Sequence, residues 1–124
     1  MLIFSKYIAQ HEFKPLKKHL KIEDIFEGAR KAIKGLGQQI KLPNKNAKFY
    51  FAKVRIGTNN SGRMIVFLVA GNNKVVPLLI RLKKDKQLGM NMSANNPKVV
   101  TQMDKNLSHV LKDIEEGKFE EFAL

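Results

Sequence analysis

Cysteine is absent from this chain of 124 residues, which excludes disulfides and thiolate metal sites. No apolar run approaches the roughly 18 residues of a membrane span. The opening Met1-Leu2-Ile3-Phe4-Ser5-Lys6 lacks the charged leader and long apolar region of a secretion signal. The expectation is a soluble, cytoplasmic protein with no membrane partner. Acidic residues are scarce, 11 against 23 Lys and Arg, and none lies between residues 28 and 84. That gap argues against a two-metal nuclease centre in the stretch. The three histidines, His11, His19 and His109, have no metal-ligand spacing, and His109 reads as structural beside an apolar stripe. Ser61 and Ser93 have no evident His and acid partners for a triad. Neither a metal nor a cofactor is expected.

What is present is positive charge. The formal net charge is +12, and it is uneven: residues 1–86 hold 19 basic and 5 acidic side chains, residues 87–124 hold 4 and 6. A basic body beside a near-neutral C-terminal segment implies a polyanionic partner. With 44% hydrophobic residues, wholesale disorder is not indicated, and the length suits one domain over residues 1–124.

The pattern along the chain predicts a short opening strand over residues 2–8 and a short helix from Pro15 to Leu20. Ile22, Ile25, Phe26, Ala29, Ile33, Leu36 and Ile40 recur at helical spacing, with Gly35 and Gly37 ending that helix. Residues 48–56 alternate with a period of two, so Tyr50, Ala52 and Val54 face a core while Phe49, Phe51, Lys53 and Arg55 line the opposite face. The turn-rich residues 57–62 join this strand to one over residues 63–70, and Gly71-Asn72-Asn73 leads to a third over residues 74–83. Pro77 inside the third strand calls for an edge position or a bulge. Asn96 and Pro97 start a last helix with an apolar stripe through Val100, Met103, Leu107, Val110, Leu111 and Ile114, stopped by Gly117. An acidic, aromatic tail, residues 118–124, follows. Helices segregated from a largely antiparallel meander describe an α+β domain.

Lys53, Arg55, Arg63, Arg81 and Lys83 crowd one end of such a sheet if the register allows it, with Lys84 and Lys86 just beyond and Lys48 at the start of the first strand. Cations so placed neutralise phosphates and release counterions. They can also stabilise the charge that gathers on a phosphodiester when an RNA 2′-OH attacks it, each donor contributing on the order of 10²–10³ in rate. A solvated basic face is the plainer alternative. Phe49 and Phe51 either stack on bases or pack beneath a helix.

Lys53-Val54-Arg55, then Ser61-Gly62-Arg63-Met64-Ile65-Val66-Phe67, then Val75 to Lys84 with its basic end, resemble the RelE/HigB branch of bacterial toxins over residues 20–115. The resemblance implies a compact RelE-like fold, a cognate antitoxin protein, and cleavage of mRNA, commonly on the ribosome. It further implies that Arg63 and Arg81 act on the scissile phosphate, with Lys53 or Lys83 assisting proton transfer. Lys48, Phe49, Phe51, Arg55, Lys84 and Lys86 would then bind RNA. The chain departs from the family in having neither tyrosine nor histidine between residues 82 and 108. Two other readings stand beside the nuclease: a non-catalytic RNA- or ribosome-binding protein, and a gyrase inhibitor like the ParE side of the same superfamily.

Overall fold

The computed structural model describes residues 1–40, 49–69, 71–85, 88, 92 and 95–124. Six strands form one sheet: β1 (Leu2–Ser5), β2 (Gln38–Ile40), β3 (Phe49–Ile56), β4 (Gly62–Val69), β5 (Lys74–Leu82) and β6 (Phe119–Phe122). Their order is β2-β3-β4-β5-β1-β6, antiparallel except where β1 meets β5. Among the described residues three α-helices complete an α+β fold: α1 (Lys6–Ile8), which winds on as a π-helix over Ala9–Phe13, α2 (Ile22–Ile33) and α3 (Pro97–Glu115). No helix among the described residues is long and apolar enough to cross a membrane.

The expected antiparallel meander is β3-β4-β5. The opening strand is shorter than expected, because Ser5 caps a helix there: its Oγ accepts from the Ile8 N–H at 3.3 Å. Helix α2 stops well before Ile40. Gly35 takes φ +74°, and the bonds Leu36 N–H to Lys31 O and Gly35 N–H to Ala32 O close a Schellman motif. Leu36, placed on the buried stripe by periodicity alone, is 70% exposed, and Ile40 belongs to β2. Gly117 ends α3 in the same way, with Lys118 N–H on Asp113 O and Gly117 N–H on Ile114 O. The acidic C-terminal segment is no loose tail: Phe119–Phe122 pairs with β1 along its whole length.

Parity on β3 is as the alternation predicts. Ala52, Val54 and Ile56 turn to the main core with Met64, Val66, Leu68, Leu78 and Ile80, against Ile25, Ala29 and Ala32 of α2. The helix comes close because Gly28 has no side chain; a Cβ there would lie 2.5 Å from Ile56 Cγ2 and 2.8 Å from Met64 Cε. A second, smaller cluster covers the middle of the other face: Ile40, Ile65 and Leu79 lie under Leu88, Met92, Val99 and Met103.

Pro77 sits at a bulge. Val66 pairs with Pro77 but Ile65 pairs with Leu79, so Leu78 is the extra residue. Were Leu78 paired regularly instead of bulged, the register set at Val69 and Lys74 would run on to put Arg63 opposite Ile80, and Arg81 would face the apolar core. One inserted residue turns the rest of β5 over. Beyond the bulge, Arg63 pairs with Arg81.

The short β1 leaves much of one edge of β5 uncovered. Its register with β5 is confined to Leu2 opposite Val75. Two buried side chains take over. Asn106 Nδ2 donates to Leu78 O at 2.7 Å, and Glu12 Oε1 accepts from the Ile80 N–H at 2.8 Å. Left without partners, these backbone groups would each cost roughly 1–3 kcal/mol.

Candidate nucleic-acid interface

Strands β3, β4 and β5 align Arg55 opposite Arg63 and Arg63 opposite Arg81, three arginines abreast on one face of the sheet. Directly opposed residues on an antiparallel pair have Cβ atoms about 4.5–5.5 Å apart, where like charges repel. Lys53 lies two residues back from Arg55 on the same face, in register with Ile65. The row therefore begins where the smaller apolar cluster stops.

Each cation is held differently. Arg81 Nη2 donates to Glu12 Oε2 at 3.0 Å; Glu12 is 4% exposed, and the Arg81 side chain 26%. Arg81 Nε is buried and makes no hydrogen bond. Arg63 Nη1 donates to Asn60 O at 2.6 Å and Gly62 O at 3.0 Å, which folds its guanidinium against the β3–β4 turn. Lys53 Nζ donates to Met92 O at 2.9 Å. Arg55 is exposed, and its guanidinium has no partner among the described residues.

The electrostatics follow from this crowding. Burial, then the charges of Arg63 and Arg55, hold the Lys53 ammonium below its usual 10.5. Burial and Arg55 likewise lower Arg63 from its ordinary value. Glu12 moves the other way. Burial raises its carboxyl above the usual 4.5, and Arg81, the Ile80 N–H and Asn106 offset only part of that. Glu12 meets the row at one end only, through Arg81.

The remaining expected site residues are more scattered. Lys83 and Lys84 are exposed just past the end of β5, where the Lys83 N–H donates to Ser61 O at 2.7 Å. Phe49, 39% exposed, lies six residues from Arg55 along β3, about 20 Å at the usual rise. It and Phe51 both meet Phe67, with ring centroids 5.1 and 5.6 Å apart. Phe51 is half-buried and packs against both apolar clusters. Lys48 and Lys86 lie outside the described residues.

Periodicity did not point to Glu12, Asn106 or Tyr7, all of which lie at or beside the β5 edge. Glu12 is 69 residues from Arg81 in sequence, and its one local sign is a carboxylate set between the buried Ile8 and Phe13. Among the described residues no group of three or more His, Cys, Asp or Glu could hold a metal. A groove of about 280 Å³ lined by Ala32, Gly37, Tyr50 and Ala52 involves the opposite parity of β3 and none of the row's cations. No family model matches the chain, and no curated protein or solved structure matches it.

Proposed function

We propose that this chain is the toxin of a toxin–antitoxin pair, a RelE-like cytoplasmic endoribonuclease that cuts mRNA on the ribosome using its own cations. The observation that carries the reading is the Arg55–Arg63–Arg81 row, with Lys53 beside it. Opposed like charges destabilise a sheet, and Glu12 meets only Arg81, so a fold that keeps three of them together gains when a further anion arrives. A phosphodiester supplies that anion.

The chemistry suits those groups. The RNA 2′-oxygen attacks the adjacent phosphorus, the bond from phosphorus to the 5′-oxygen breaks, and a 2′,3′-cyclic phosphate and a 5′-hydroxyl result. Arg63 and Arg81 face the non-bridging oxygens as charge accumulates there. Lys53, with its lowered pKa, accepts the 2′-hydroxyl proton more readily than an ordinary lysine would, and water returns a proton to the leaving oxygen. Lys83 stands past the strand end and assists in binding. An acidic antitoxin segment laid over the row would silence it by occupying the same charges.

Purified protein added to mRNA-programmed ribosomes should produce defined transcript ends. Arg63→Ala and Arg81→Ala should each slow cutting by on the order of 10²–10³. Folded variants that cut at the wild-type rate would refute these assignments. A second reading, RNA binding without chemistry, is favoured by the bonds that Lys53 and Arg63 already make to chain carbonyls. It leaves every transcript intact while binding collapses with salt.

A further inference from the structure

Helix α1 and the π-helix carry Tyr7 and His11 four residues apart, and α3 brings the His109 ring to them from about 100 residues away. The Tyr7 ring centroid is 4.1 Å from that of His109, with the planes 3° apart, and 4.4 Å from that of His11, with the planes 31° apart. Two rings so close to a third, with no contact between them, take its two faces. Tyr7 is half-buried, whereas His11 and His109 are exposed. The backbone that carries the middle ring is tied to α3, because Asp113 Oδ2 accepts from the Tyr7 backbone N–H at 2.7 Å. Local π-winding, often found at functional sites, sets His11 outward and the next residue, Glu12, inward onto Arg81.

The stack adjoins the arginine row. Glu12, the residue after His11, accepts from Arg81 at 3.0 Å, and burial, with Glu12 nearby, raises the Tyr7 hydroxyl above its usual 10.0. We infer that the outward face of His11, backed by Tyr7 and His109, is a stacking platform for a base of single-stranded RNA whose neighbouring phosphate lies on Arg81 and Arg63. Histidine is among the side chains on which unpaired bases stack, and such stacking tolerates any base. The inference rests on the RNA reading above and adds a base subsite to its phosphate subsite. Commitment to His11 over His109 follows from its adjacency to the residue that holds Arg81.

The test uses 2′-O-methyl oligoadenylate, which lacks the attacking hydroxyl, beside an abasic strand of the same length, both at low salt. Wild type should prefer the base-bearing strand. His11→Ala should weaken that binding about 5- to 150-fold and leave abasic binding unchanged, while His11→Phe keeps the preference. Comparing two ligands within each variant cancels any loss of folded protein. A preference that survives His11→Ala, or that vanishes only in His109→Ala, overturns the platform. Arg63→Ala should weaken both ligands alike; if it weakens neither, the phosphate subsite fails separately. Wild type that binds neither strand overturns both.

Discussion

The two faces of the β3-β4-β5 meander are built from alternate residues of the same strands, yet they end differently. One is apolar throughout: Ala52, Val54, Ile56, Met64, Val66 and Leu68 are all at most 4% exposed. The other is apolar in its middle, at Ile65 and Leu79, and cationic at its end. Period-two alternation usually gives one wet face and one dry face. Here both are dry where a helix or loop lies over them, and the end row stays only partly covered, with Arg55 exposed and Arg63 and Arg81 half-buried, because burying three guanidinium groups would cost several kcal/mol each. The basic row is therefore the part of the sheet that folding alone does not account for.

The comparison breaks most simply in its sealed parts. Leu78→Ala, in the main core, and Leu79→Ala, in the smaller cluster, both remove side chains that are 0% exposed. Each should lower stability by about 3–5 kcal/mol in urea unfolding. A loss under about 1 kcal/mol at Leu79 would mean that Leu88, Met92, Val99 and Met103 form no true core over that face.

Glu12 joins the two regimes, since one oxygen closes the β5 edge and the other holds the first arginine of the row. Glu12→Ala should cost about 2–3 kcal/mol, leaving Ile80 N–H and a partly buried guanidinium unpaired. Glu12→Gln keeps an acceptor and should cost less. The pH dependence has a definite sign. An unfolded chain releases this proton near 4.5, and the folded chain holds it to higher pH. Between those values the native state binds more protons, so stability falls as pH rises from 4.5 through the raised native value, then levels. Urea unfolding over that range should show the slope in wild type and lose it in Glu12→Gln.

How far the sequence reaches is clearest on β5. Pro77 signals an edge position or a bulge, since a proline inside a ladder lacks the donor the partner strand needs. Its consequence is illegible, because only the register reveals that the extra residue brings Arg81 round to Arg63. Helix ends at Gly35 and Gly117 were readable, the left-handed turn being a local demand. Strands β2 and β6 were not: three residues of Gln-Gln-Ile and four of Phe-Glu-Glu-Phe carry too little periodicity, and each exists through its neighbour. Glu12 and the Tyr7 stack escaped for the same reason, being assembled by contacts about 70 to 100 residues apart in sequence.

The smallest effect is the most telling. Arg55 faces Arg63 and has no side-chain partner among the described residues. Arg55→Gln should therefore raise stability, by about 0.2–1 kcal/mol at low ionic strength, as one opposed like charge is removed. The gain should fade toward 1 M salt, where the Debye length is about 3 Å. RNA affinity should move the other way. One lost phosphate contact lowers binding and flattens the log–log salt dependence by about 0.7 for a single strand. A merely solvated surface arginine gives neither change, and a structural one gives a loss of stability. Only a charge kept for an external polyanion makes the free protein firmer and the complex weaker when removed, and thermal melts beside salt-titrated binding measure both signs.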